Sequence, residues 1–186
     1  MRLKPALLLL FTLLSSSAIF GVTPQCEIVP GQRIGSVNIG DSPSAVRKKI
    51  GKPASSDKEG AYTYESFGSS KKGNVIGVIY QNGKVLQIST IYPLFQTKQG
   101  IQRDSSWPLV KKNYPNLKVF SIGPKKEDPE HVFNHYVSKS EGISFLLDNS
   151  GWPPVTDKDT SVFAITVFRK GSGPVISVGR SHRKLQ

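Results

Sequence analysis

The chain has 186 residues, 37% of them hydrophobic, and a formal charge of +12 from 25 basic and 13 acidic side chains. That length allows one large domain or two small ones sharing a core. The single cysteine, Cys26, excludes an intramolecular disulfide framework. The basic balance favours acidic partners: anionic lipid headgroups, lipopolysaccharide, acidic proteins or nucleic acid.

The first residues read as an export signal. Arg2 and Lys4 form a positive start, Ala6 to Leu14 an apolar stretch, and Ser15-Ser16-Ser17-Ala18 and Gly21 offer small residues for a peptidase. The apolar stretch falls short of the roughly 20 residues a membrane-spanning helix needs. A signal peptide over 1–21 is therefore expected, with no transmembrane segment after cleavage. Losing Arg2 and Lys4 takes the charge from +12 to +10. Nucleic acid is the least fitting partner for an exported chain. Cys26 follows Thr23-Pro24-Gln25 and stands twelve residues beyond Leu14, which does not suit lipidation. A free thiol near the N-terminus is the simpler reading.

Residues 22–93 form a first predicted unit. Ile28 to Ile39 reads as a leading strand after a Pro30-Gly31 turn. Asp41 and Ser42 suit an N-cap and Pro43 the first helical position. Val46 and Ile50 share a helix face, Arg47, Lys48 and Lys49 complement the C-terminal dipole, and Gly51 and Pro53 end the helix. Strands are expected at 61–67, 75–80 and 85–91. Asn82-Gly83, between the last two, has the chemistry of a type I′ hairpin turn. In the last strand Leu86, Ile88 and Tyr92 are expected on one face, with Gln87 and Ser89 on the other.

Residues 94–171 repeat this order sixty-four positions later. Ser106 suits a cap, Leu109, Val110 and Tyr114 the apolar side of a helix, and Pro115 its end. Strands are expected at 132–137, 142–147 and 162–168. In place of the Asn82-Gly83 turn stands a long loop, Asp148 to Ser161, containing Gly151-Trp152-Pro153-Pro154. Long aperiodic loops in compact domains are often functional. Residues 172–186 are expected to supply an edge strand, Pro174 to Val178, and a disordered basic tail. The predicted class is α+β: two tandem units, each a short helix packed on an antiparallel β-sheet, sharing one sheet.

The string Ile39-Gly40-Asp41-Ser42-Pro43-Ser44-Ala45-Val46, closed by Ile50-Gly51-Lys52-Pro53, resembles a bacterial envelope motif in which G-M-S/T-x-x-E-V precedes L-G-x-P. That motif occurs in the β-lactamase-inhibitory-protein-like fold, which includes the small lipoprotein of the outer-membrane barrel assembly machine. At the level of element order the resemblance covers about Ile34 to Phe168. It implies an exported scaffold whose open sheet face and hairpin loops contact another protein. Asp41 stands where Met is usual and Ala45 where Glu is common. The inhibitor's disulfide cysteines and the lipoprotein's lipobox are missing, so those two specific functions do not transfer.

The residues present no catalytic constellation and call for no cofactor. No G-x-S-x-G elbow occurs, and Cys26 is far in sequence from any histidine. His131 and His135 lie on a predicted strand, where a spacing of four puts them roughly 13 Å apart, too far to share a metal. They read as surface or edge histidines. Candidate binding residues are Trp152 and Pro153 in the long loop, the same-face pair Tyr62 and Tyr64, and Asn82 and Lys84 at the hairpin tip. Trp152 is either an interface anchor or a plug folded back onto the sheet. Tyr62 and Tyr64 face either the helix or the open side. The expected function is a non-enzymatic protein-interaction module of the bacterial envelope with an unidentified protein partner, whose acidic character the basic charge favours. The alternatives are a polyanion or anionic-envelope binder, using Lys71-Lys72, Lys111-Lys112, Lys125-Lys126 and the tail, and a small hydrolase with an unrecognised site.

Overall fold

Each short helix can bury only one stripe, and each strand run only one face, so both need a shared sheet. In the computed structural model, which describes residues 26–122, 133–148, 160–178 and 181–184, the chain meets that need twice. The first unit comprises β1 (Glu27–Val29), β2 (Arg33–Ile34), β3 (Val37–Asn38), α1 (Pro43–Ile50), β4 (Ser55–Glu59), β5 (Tyr62–Phe67), β6 (Ile76–Gln81) and β7 (Lys84–Thr90). After β8 (Gln96–Thr97), the second comprises α2 (Trp107–Asn113), β9 (Lys118–Ile122), β10 (Phe133–Ser138), β11 (Ile143–Asp148) and β12 (Ser161–Phe168). The chain then makes β13 (Val175–Val178) and β14 (Ser181–Lys184). The fold is α+β.

Each helix is followed by a four-stranded antiparallel meander, and the two meanders meet at their last strands. The order across the sheet is β4-β5-β6-β7-β12-β11-β10-β9. Thr90 pairs with Ile165, Ser89 with Thr166 and Ile88 with Val167. The two units are therefore related by a pseudo-two-fold axis near the Ser89–Thr166 pair, whose hydroxyls lie 3.1 Å apart. Local details repeat with it. Gly40 donates to the Val85 carbonyl and Val85 to Asp41; Asp104 donates to Val162 and Val162 to Ser105. Gly40 (φ 89°) and Asp104 (φ 65°) share a left-handed backbone. A bulge follows Val85 in β7, and another follows Val162 in β12.

The helices and the small β3-β2-β1-β8 sheet cover one face of the large sheet, here the inner face. Val46 and Val110, sixty-four positions apart, are both completely buried there, among Ile28, Ile34, Val78, Ile88, Phe145 and Ile165. Burying each such side chain contributes about 1.5–3 kcal/mol. α1 follows its sequence signals: the Ser42 hydroxyl accepts from the Ala45 N–H at 3.2 Å, and Gly51 closes the helix at φ 89°. Asn82 (φ 52°) and Gly83 (φ 68°) adopt the positive φ values expected of the tight hairpin.

Several expectations are corrected. Residues 28–39 form three short strands rather than one, because Gly31 and Gly35 reverse the chain at positive φ. The bulge puts Val85, not Leu86, in the core and leaves Leu86 half-buried. Ser106 sits at the N-cap without a side-chain cap bond, since its segment is held instead by backbone pairing to Thr160 and Ser161. Leu109 is exposed, and Trp107 takes its place against the sheet. β4 and β9 escaped the periodicity: Ser55-Ser56-Asp57-Lys58-Glu59 carries no apolar residue, as suits a sheet edge protected from further pairing. Residues 175–178 join no edge of the large sheet. They pair with β14, so part of the basic tail forms a hairpin.

The β1–β2 turn is locked to the second unit at Gly31 and Gly142, where the Gly31 N–H donates to the Gly142 carbonyl at 3.1 Å. A Cβ on Gly142 (φ 74°) would lie 2.3 Å from the Phe168 carbonyl oxygen and 2.7 Å from Gly31 Cα. Gly171 has a similar φ of 78° but open space around it. Gly142→Ala should therefore lower stability by about 2–4 kcal/mol, and Gly171→Ala by only about 1 kcal/mol. Urea midpoints of the two variants check the difference, and equal losses would remove the packing contribution.

Candidate functional site

Two places in the first unit bring chemistry-bearing side chains together, one on each face of the sheet. On the inner face, the alternation of β5 sends Thr63, Glu65 and Phe67 toward α1. Glu65 has no exposed side chain, and it is met from both sides. Arg47 of α1 forms an ion pair with its Oε1, with Nε at 3.1 Å and Nη2 closer still. The Tyr80 hydroxyl donates to its Oε2 at 2.9 Å. A buried carboxylate is costly unless paired and hydrogen-bonded, and here both oxygens are occupied. Burial, and then the hydrogen bond to Glu65, push the Tyr80 pKa upward. The Glu65 carboxylate likewise raises that of Arg47, so the guanidinium stays charged.

Above this cluster lies a cavity of about 320 Å³ between the first turns of α1, the β4–β5 turn and the Asn82-Gly83 tip. Pro43, Arg47, Lys58, Thr63 and Asn82 line it with Tyr80. Just before the N-cap of α1, Asp41 accepts from Asn38 N–H at 2.8 Å and Lys49 Nζ at 2.7 Å. Burial opposes ionisation of Asp41, but these partners outweigh it and lower its pKa. Asp41, one of the two departures from the envelope motif, thus ties β3 to α1.

Among the described residues, the second unit has no such cluster. By the sheet register Glu65 and Tyr80 correspond to Tyr136 and Leu147, and by the sixty-four-residue offset of the helices Arg47 corresponds to Lys111. There Trp107 packs on Tyr136 at 4.2 Å between ring centroids, and Lys111 lies over the indole at 5.5 Å. The same scaffold holds with an aromatic stack, so the fold itself does not demand the charges.

The outer face differs between the units as well. In the second, Val137, Ser144, Ala164, Thr166 and Phe168 are all buried. Beside the axis, the Gln87 amide clamps the C-terminal segment: Nε2 donates to the Val175 carbonyl at 3.1 Å and Oε1 accepts from its N–H at 2.7 Å. In the first unit a groove of about 260 Å³ remains, floored by Ser66, Gly77 and Ser89 and walled by Ser55, Asp57, Tyr64 and Ile79. Tyr62 and Tyr64 lie here, half-buried, with ring centroids 6.4 Å apart. Burial, with Glu59, Tyr62 and Asp57 nearby, pushes the Tyr64 pKa up to about 12.

Of the sequence candidates, Tyr64 therefore walls the outer groove, and Tyr62 stands next to Tyr64. Asn82 joins the inner cavity, and Lys84 is exposed at the start of β7. Trp152 and Pro153 lie outside the described residues, as do His131 and Lys125-Lys126. Arg47, Glu65, Tyr80 and Lys58 were not singled out, although an acid sharing a strand face with Phe67 was a usable signal. His135, expected at the surface or an edge, is half-buried on β10, the strand beside the edge strand β9. It occupies the outer-face position equivalent to Tyr64, opposite Leu146 and Phe120, and burial pushes its pKa down to about 4. Among the described residues, no group of three or more His, Cys, Asp or Glu could hold a metal. No described helix is long and apolar enough to cross a membrane.

The arrangement defines an α+β protein of two fused helix–meander units. No protein-family model matches the chain, and no curated protein matches its sequence. Among solved structures, it is similar to an extracellular protein containing an SCP domain from Bacillus anthracis, at 12% identity and a TM-score of 0.46. That match covers 72% of this chain and 44% of the other. It is also similar to a cysteine-rich secretory protein from Staphylococcus aureus, at 11% identity and a TM-score of 0.46, over 76% and 46% of the two chains. This chain thus spans less than half the length of either protein. The uncharacterized protein yfeY from Escherichia coli matches at 15% identity and a TM-score of 0.52, over 76% of this chain and 99% of that one. Such a likeness speaks for the fold alone.

His135 makes the stability of the fold depend on pH. Its folded pKa of about 4 lies below the ordinary 6.5, so above that value both states are neutral and its contribution is complete. As pH falls from about 6.5 to about 4, the unfolded chain takes up a proton that the folded chain refuses, and stability drops by up to about 3 kcal/mol. His135→Phe should flatten this part of the profile, measured by urea unfolding at a series of pH values.

Proposed function

We propose that the protein is an exported, non-enzymatic interaction module of a bacterial-type envelope that docks a partner protein on the outer face of its first unit. The observation that carries this reading is the unequal covering of a symmetric sheet. On the second unit's outer face Val137, Ser144, Ala164, Thr166 and Phe168 are buried and His135 and Leu146 half-buried, whereas the first keeps a groove walled by Tyr64 and Ile79 beside Tyr62. Tyrosines joining apolar area to a polar tip are favoured interface anchors, because they lose little conformational entropy on binding. The exposed β4 edge and the tip carrying Lys84 extend the surface around them. A charge of +10 after signal removal favours an acidic partner.

Export rests on the N-terminal signal pattern, and tandem helix–meander units support the resemblance to the β-lactamase-inhibitory-protein-like fold. The non-enzymatic reading is supported by the inner cluster, where Glu65 and Tyr80 are committed to one another. A tyrosine whose pKa is raised by burial is poorly placed for proton transfer near neutral pH.

A photo-crosslinking residue at position 64 should capture one discrete protein in cells, whereas one at exposed Lys112 should not. Tyr62→Ala with Tyr64→Ala should weaken that complex by about a hundredfold at unchanged fold. Undiminished capture by the double variant would sink the proposal. Steeply salt-dependent adsorption to anionic vesicles, unaffected by the tyrosines, would replace it with electrostatic envelope binding.

A further inference from the structure

We propose that the inner-face cavity between α1 and the Asn82-Gly83 tip is a carboxylate-binding site, with Arg47 as its anchor and Lys58 as its second cation. The proposal is independent of the outer-face reading. Arg47 is fixed from below: Nε and Nη2 both meet Glu65 Oε1, while Nη1 has no hydrogen bond among the described residues. Its side chain remains 49% exposed. A guanidinium held by a buried carboxylate loses little further entropy on binding an anion and presents a rigid fork to it. The β4–β5 register sets Lys58 opposite Thr63, and Thr63 opposite Tyr80, so all three belong to the face that borders the cavity.

The charge count selects the class of ligand. Arg47 and Lys58 are opposed by the single charge of Glu65, and nearby Asp41 is paired with Lys49. One net positive charge remains. A singly charged carboxylate neutralises it, whereas a doubly charged phosphate would face Glu65 with excess negative charge. About 320 Å³ accommodates an acidic side chain or a small free acid. The second unit argues for a role beyond folding, since an aromatic contact between Trp107 and Tyr136 stands where the first unit has the buried Glu65.

The test uses the isotopically labelled protein without its signal segment, titrated with acetate, an acetylated and amidated Gly-Glu-Gly peptide, and inorganic phosphate. Both carboxylate probes should shift the backbone amides of Gly60, Ala61, Thr63 and Gly83, with dissociation constants on the order of 1–10 mM. A tighter peptide supports a protein source for the carboxylate, and equal affinities support a free acid. Arg47→Gln combined with Glu65→Gln leaves no buried charge stranded and should weaken binding at least tenfold. Lys58→Gln, at an exposed position, should weaken it several-fold. The proposal is overturned by unmoved amides at about 50 mM probe, by phosphate binding more tightly there, or by full affinity in the double variant.

Discussion

The antiparallel pairing of β7 with β12 is the contact on which the rest of this structure depends. A short helix on four strands buries too little surface to be secure alone, but two such units joined at their last strands share one inner core. Joining in this way also removes two of the four edges that separate sheets would expose. The strands left at the rim, β4 and β9, include the polar run Ser55–Glu59. The hydrogen bonds that tie each helix entrance to its central strand, at Val85 and Val162, pass the geometry of this seam to both helices.

Symmetry makes the asymmetries informative. One backbone plan carries an ion-paired glutamate under a polar cavity in one half and a tryptophan–tyrosine stack in the other. Packing alone is served by the stack. A buried carboxylate brings a desolvation cost that an aromatic does not, so its presence under an exposed arginine calls for a reason beyond stability. On the opposite side, Gln87 stands where the second unit has Ala164, and its amide receives the Val175 backbone as a strand partner would. The first unit thus supplies an attachment point for the C-terminal segment, an open outer groove and a charged inner cavity.

Much of this was legible because local chemistry and tertiary need coincide. Ser42, Pro43 and Gly51 punctuate α1 as their side-chain and backbone preferences require, and Asn82-Gly83 closes the hairpin at positive φ. Misreadings fell where distant contacts decide. Leu86 and Val85 are equally apolar, and only the bulge selects Val85 for the core. Leu109 fits an apolar helix stripe, but Trp107 fills the space above Tyr136. The polar β4 carries no periodic signal because neither side of it is deeply buried.

The sequence by itself determined the α+β class, the punctuation of α1 and the tight turn, since each rests on residues close together in the chain. Only the tertiary structure decided how the halves join, which face Tyr62 and Tyr64 occupy, and that Arg47, Glu65 and Tyr80 converge. Strand alternation assigns residues to two faces, but not which face meets the helix. That choice follows from the burial of the whole inner layer, to which both units contribute.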